Sequence, residues 1–313
     1  MKLIFGVDIG GTRIKIGRFT EDGKLLEKWS VKTDLSDHGA HIVPLVAEKI
    51  QAHRKARGIS EEKVLGIGMG IPGPVAPGGF VEKCVNLHWN AFNPVTELAR
   101  FFPNHQIRAE NDANVASLGE YFQGAGRNVS SMMMVTLGTG VGGGVILDGR
   151  ILVGAHGIAG EIGHIAADPT QEEICNCGNR GCIDQCASAT GIVRKAEKLL
   201  ASVDQPSALR DFETLTAKEI CDCAKEKDPL AIRVIEECMY PLGVGLAYFS
   251  HAFDPEMYVI GGGVSLAGEV IIKAVQKGYQ EQFFLTKKKA DIRLAELGND
   301  AGITGACALI AKE

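Results

Sequence analysis

Leu137-Gly138-Thr139-Gly140-Val141-Gly142-Gly143, set against the earlier Asp8-Ile9-Gly10-Gly11-Thr12-Arg13, decides how the chain is built. Each stretch puts a glycine-rich turn at the end of an apolar run. Residues 3–9 and Met132 to Leu137 read as strands, and the residues after each turn read as returning strands. Asp22-Gly23 and Asp148-Gly149 then supply a hairpin signal in each copy. A strand–turn–strand–hairpin unit that occurs twice predicts two similar α/β lobes facing one cleft. Ile260-Gly261-Gly262-Gly263 adds a third turn of the same kind. Glycine lets the backbone approach a ligand closely, and successive N–H groups in such turns form an anion-binding concavity. Three of them point to one polyphosphate gripped from two sides.

Between the turns, apolar residues at helical spacing predict helices over 38–57, 111–123, 187–201, 228–253 and 265–280, with strands near 64–70 and 106–110. Gly243 and Gly245 interrupt the fourth helical pattern and would allow close packing there. Residues 166–186, rich in Cys, Gly, Asn and Asp, read as an irregular loop, and 203–211 as a surface linker.

The 313 residues allow one large or two mid-sized domains with a substantial core. A net charge of −5 leaves no basic footprint, which argues against nucleic acid as a partner. No apolar run approaches the roughly 20 residues that cross a bilayer, so no membrane partner is expected. The first residues form a short apolar stretch that meets Asp8, unlike a secretory leader, and the expected location is the cytoplasm. Nine cysteines in such a chain predict thiols or a metal site rather than a disulfide framework.

Gly138 to Gly143 satisfies the dinucleotide pattern G-x-G-x-x-G, but a strand and hairpin follow it where that motif requires a helix. The Rossmann reading is therefore rejected, and no P-loop motif occurs. Asp8 ends a buried-looking strand beside a phosphate-type turn, where a carboxylate either caps the turn or holds Mg²⁺ through water. Glu110-Asn111-Asp112-Ala113-Asn114 joins a strand to a helix. Capping accounts for one of Asn111 and Asp112. The remaining polar groups suit a carboxylate that removes a proton from a hydroxyl, with an Asn orienting the substrate. His164, Cys175, Cys177 and Cys182 form a set of one imidazole and three thiolates, which matches a closed tetrahedral Zn²⁺ site of structural type. Cys221 and Cys223 sit two apart in a helical pattern, so they face apart and read as buried thiols. Glu161, just before His164, suits adjacent sugar hydroxyls or serves to orient the imidazole.

Taken together, Asp8 to Arg13, Gly70-Ile71-Pro72-Gly73-Pro74, Glu110 to Asn114, Leu137 to Gly144, Glu161-Ile162-Gly163-His164 with its cysteine loop, and Gly302-Ile303-Thr304-Gly305-Ala306 resemble the ROK family of sugar kinases, the bacterial ROK glucokinases above all. The resemblance implies an α/β actin-like ATPase (ribonuclease H-like) fold of two lobes around a central cleft. The small lobe would be 1–118, joined by a last helix near 300–313, and the larger lobe would be 119–299 with the zinc loop 164–182. It implies Asp112 as general base. Gly73, Asn111, Asp112, Glu161, His164 and Asp184 would bind the sugar. Asp8, Gly10, Gly11, Thr12, Arg13, Gly138, Thr139, Gly140, Gly261, Gly262 and Gly263 would hold MgATP, with Asp8 near Mg²⁺. Zn²⁺ would be held by His164, Cys175, Cys177 and Cys182. A hexose and ATP would be the small-molecule partners, and the assembly a homodimer. One position departs from the pattern. The family has a sugar-touching Glu two residues after its last zinc cysteine, and Asp184 stands there, one methylene shorter. A bridging water, or a bulkier or epimeric sugar, would accommodate the difference. ROK-type regulators share these lobes behind a DNA-binding domain, for which the chain is expected to leave no room ahead of residue 3; a sugar sensor without catalysis is the other alternative, and Asp112 argues against it.

Overall fold

The computed structural model describes residues 1–311. It divides into two compact units. The first takes in 1–128, 149–159 and the described residues from 296 on; the second takes in 129–148 and 160–295. The expected boundaries at 118/119 and 299/300 therefore move, because one helix spans the first of them whole and stays with the first unit.

In the first unit, β1 (Leu3–Ile9), β2 (Arg13–Thr20), β3 (Leu25–Lys32), β4 (Val64–Ile71) and β7 (Gln106–Asn111) form a sheet ordered β3-β2-β1-β4-β7. β1 pairs antiparallel with β2 and parallel with β4, and β4 pairs parallel with β7. β5 (Val81–Cys84) and β6 (Trp89–Phe92) make a separate hairpin, followed by α3 (Pro94–Ala99). Neither element is legible as a regular pattern in sequence, since each has only four to six residues. The helical pattern at 38–57 becomes a one-turn segment, α1 (Ser36–Gly39), and then α2 (Ile42–Ala56). The break comes where Asp37 and His38 adopt positive φ. Phe5, Val7, Ile9, Ile14 and Ile16 pack with Ile42, Val46 and Ile50 of α2 in the main core of this unit. Ile4 and Phe19 turn to the other side and pack with Ile303, Cys307 and Ile310 of α10 (Ala301–Ala311), as alternation along a strand requires.

That second side is built on backbone contact. A Cβ at Gly68 of β4 would collide with the Ala306 carbonyl of α10. One at Gly305 of α10 would collide with the Val115 carbonyl of α4 (Asp112–Gln123). The sheet and both helices thus meet with no side chain between them at these points, which fixes where the first residue of α4 stands.

The second unit repeats the kernel of the first. β8 (Met132–Leu137) pairs antiparallel with β9 (Val141–Leu147) and parallel with β11 (Met257–Gly261), which pairs parallel with β12 (Asp291–Leu294). The order β9-β8-β11-β12 reproduces β2-β1-β4-β7. The chain leaves β9 by the expected Asp148-Gly149 turn into β10 (Arg150–Ile151), which is only two residues long. Helices α5 (Ile183–Ala187), α6 (Ala189–Ser202), α7 (Ala217–Lys225), α8 (Pro229–Phe253) and α9 (Glu269–Gln282) complete the unit. The end of the expected irregular loop is therefore the short helix α5. The expected helix at 265–280 starts at Glu269, after a 3₁₀ turn at Val264–Ala267 that Gly268 interrupts with φ +74°. Gly243 does serve close packing: a Cβ there would strike the Val275 carbonyl of α9.

Candidate active site

In the first unit, the turn after β1 is closed by the Gly10 N–H on the Arg13 carbonyl at 3.0 Å. Thr33 holds it from outside, donating its hydroxyl to the Gly10 carbonyl at 2.6 Å. Thr12 is exposed at the tip. Arg13 instead lies along β3, where its guanidinium donates to Ser30 Oγ at 2.7 Å. Asp8 faces Lys15 across the β1–β2 register, with Lys15 Nζ 3.3 Å from its Oδ2. Lys15 was not singled out from sequence; the strict β1–β2 hairpin register is the signal that would have found it.

Asn111 is the N-cap of α4 and accepts the N–H groups of Ala113 (3.0 Å) and Asn114 (3.1 Å) on Oδ1. Its Nδ2 donates to the Gly73 carbonyl at 3.0 Å and to Asp112 Oδ1 at 3.1 Å. Gly73 has φ +110°, a conformation that L side chains rarely adopt. Glu110 Oε1 accepts the Asn111 N–H at 2.8 Å and Asn114 Nδ2 at 3.2 Å. The polar run thus braces itself around Asp112, whose Oδ1 also accepts the Ala113 N–H at 2.8 Å. Burial pushes the Asp112 carboxyl up to about 6, the Ala113 N–H pulls it down, and the charge of Asp8 raises it further. Cys84, unnoticed in sequence, lies in the same surroundings: its thiol donates to the Pro72 carbonyl at 2.7 Å, burial raises its pKa, and the Asp112 charge adds to that.

In the second unit, Gly138 to Gly140 and Gly261 to Gly263 end the neighbouring parallel strands β8 and β11. A Cβ at Gly262 (φ +86°) would collide with the Leu137 backbone, so the two turns lie against each other. Asp184, the second residue of α5, accepts the Val141 N–H on Oδ1 at 2.6 Å. Glu161 is exposed and leads into the 3₁₀ turn Ile162–His164.

His164, Cys175, Cys177 and Cys182 bring one ligand atom each within 4.8 Å of one another. Cys177 and Cys182 Sγ are 3.6 Å apart, and His164 Nδ1 is 3.8 Å from Cys175 Sγ. Tetrahedral zinc, with bonds of about 2.0–2.3 Å, sets its ligands roughly 3.3–3.8 Å apart. The donor set therefore fits a zinc-sized cation. Burial and the neighbouring thiols Cys177 and Cys175 push Cys182 up to about 12, a cost that a cation shared by thiolates reverses. The turn that gathers them needs Gly178 (φ +91°) and Gly181 (φ +74°).

The model of one family, ROK, matches residues 4–313. The chain belongs to the ROK family. The glucokinase of Halalkalibacterium halodurans is 39% identical over 306 residues, covering 96% of this chain and 92% of that protein. The glucokinase of Thermotoga maritima is 34% identical, covering 99% and 97%. Among solved structures, a ROK family glucokinase from Streptomyces griseus in complex with glucose and AMPPNP superposes with a TM-score of 0.76 at 31% identity, covering 99% of this chain and all of that one. The fold is the actin-like ATPase fold of the ROK sugar kinases, and the duplicated four-strand kernel is its physical signature here.

Proposed function

We propose that this ROK protein is an ATP-dependent glucokinase that transfers the γ-phosphoryl group of MgATP to the C6 hydroxyl of glucose. The observation that carries the reading is Asp112: a buried carboxyl held near 6, braced at the start of α4, in the charge field of Asp8. A base with that pKa is ionised at neutral pH yet accepts a proton readily. Asp112 takes the proton of the attacking hydroxyl, and Asn111, Gly73, Glu161 and His164 bind the sugar. The glycine turns at 10–12, 138–140 and 261–263 present N–H groups to the phosphates. Phosphoryl transfer has a loose transition state, so positioning and charge stabilisation supply most of the rate. Asp8 would help hold the Mg²⁺ of the nucleotide, a cation that would neutralise phosphate charge. His164, Cys175, Cys177 and Cys182 would hold a structural Zn²⁺ that fixes His164 beside Glu161. Two chains would form the homodimer, in the cytoplasm.

A second reading, a kinase of another hexose, is favoured by Asp184, whose Oδ1 is committed to a backbone amide. A panel of hexoses with MgATP, read as kcat/KM, separates the two. Glucose is expected to rank first; a clear preference for another hexose replaces glucose, and no sugar-dependent ADP release from any of them removes the kinase reading.

A further inference from the structure

The segment that follows the last metal-ligating cysteine wraps the Gly138–Gly140 turn. Cys182 is the N-cap of α5, and Asp184 follows in its first turn. Asp184 Oδ1 accepts the N–H of Val141, the first residue after the turn, at 2.6 Å. A Cβ at Gly140 would sit 2.8 Å from that same oxygen, so the carboxylate occupies the space a side chain at 140 would need. α5 and α6 then meet at a sharp corner, where a Cβ at Gly191 would collide with the Gln185 carbonyl. That corner aims two further donors at the turn. Ala189 N–H reaches the Gly138 carbonyl at 2.8 Å, and Thr190 Oγ1 reaches the Thr139 carbonyl at 3.2 Å. Three consecutive peptide units are thereby fixed from one side, and Asp184 alone supplies an acceptor. An amide donated to Asp184 cannot rotate away from its neighbours, so the turn keeps its remaining N–H groups in place before any ligand arrives.

The geometry points to Asp184 as a positioning residue for the nucleotide rather than a sugar contact: it orders the Gly138–Gly140 turn for phosphate binding. This rests on the reading of that turn as part of the MgATP site. A charge-assisted bond to a partly buried amide is among the stronger hydrogen bonds, and losing it leaves Val141 N–H unpaired.

The test measures binding of a non-hydrolysable ATP analogue by calorimetry, without sugar, together with KM for ATP and for hexose in the active enzyme. Asp184→Ala is expected to raise the analogue Kd and KM for ATP roughly tenfold, with KM for hexose moving less than twofold. Asp184→Asn keeps an oxygen that accepts the Val141 N–H and is expected to recover most of the loss. If Asp184→Ala folds poorly, Thr190→Val removes a neighbouring bond to the same turn and is expected to shift the nucleotide constants alone. A rise confined to KM for hexose overturns the inference, as does an equal rise in both constants accompanied by a lower Tm. Wild-type protein that binds no nucleotide analogue overturns it together with the turn assignment. Wild-type protein that binds the analogue but phosphorylates no hexose removes the glucokinase reading and leaves this one standing.

Discussion

A carboxylate that is to accept a proton near neutrality must be held above its ordinary range, and at Asp112 burial does this. Asp112→Asn is expected to lower kcat by about 10²–10⁴-fold while changing nucleotide affinity little; turnover near the wild-type value would remove Asp112 from the chemistry. The base must be ionised, so kcat/KM of the wild type is expected to fall as pH drops through about 6; a profile flat down to pH 5 contradicts the assignment. The same shift has a stability consequence. The folded pKa of about 6 lies above an unfolded value of about 3.9. The folded state therefore binds the proton more tightly, and ionisation costs stability as pH rises between those two values and by a constant amount above them. Asp112→Asn is accordingly expected to raise Tm at pH 8, with the advantage vanishing near pH 4. An equal Tm difference at both pH values would mean that charge burial is not its origin. The position of Asp112 in a polar run was legible in sequence; its pKa was not, because Asp8 comes from a different strand and burial comes from packing. Arg13, which the resemblance puts among the nucleotide-binding residues, donates its guanidinium to Ser30 of the neighbouring strand, a partner that no local pattern announces.

At the scale of elements, local signals did best where the hydrophobic period was long. α4, α8 and β4 lie within a residue or so of their expected bounds. α5, β5, β6 and α3 escaped because four to six residues carry too little periodicity. The side chains that gather as a possible metal site, His164, Cys175, Cys177 and Cys182, can be picked out from ligand type and spacing, since three thiols and a His within a short segment have few other uses. Cys177→Ser is expected to reduce bound zinc, measured by elemental analysis, and to raise KM for sugar through a loosened His164. Full activity in wild-type protein that carries no stoichiometric zinc would end that assignment. The α4–α10 contact makes a different demand. At Gly305 a methyl group would overlap the Val115 carbonyl, so Gly305→Ala is expected to cost about 1–3 kcal/mol or more, as overpacking does. An unchanged midpoint in denaturant would show that the helices separate freely.

Across the whole molecule, the first unit is assembled from three stretches of chain, and one side chain ties the end of the first to the start of the last. Glu120 of α4 is fully buried. Its Oε2 accepts the N–H groups of Ala125 (2.9 Å) and Glu296 (3.1 Å), and its Oε1 accepts that of Leu297 (2.8 Å). These residues lie just before the chain first leaves the unit and just after it last returns. A carboxylate offers both oxygens as acceptors, whereas an amide would turn an NH₂ toward N–H donors. Glu120→Gln is therefore expected to cost about 1.5–3 kcal/mol, read as a shift in the denaturant midpoint; no shift would show that the connections hold without it. Sequence by itself determined the duplicated strand-turn-strand plan, the three glycine turns, the polar run around Asp112 and the grouping of His164, Cys175, Cys177 and Cys182 as a candidate metal set, because each is written in nearby residues and short-range sterics. Tertiary structure alone decided the raised pKa of Asp112, the direction of Asp184 and the return of residues 149–159 and 296 onward to the first unit. Each of these depends on groups far apart in the chain meeting in a packed, partly dehydrated interior, and no local pattern encodes that.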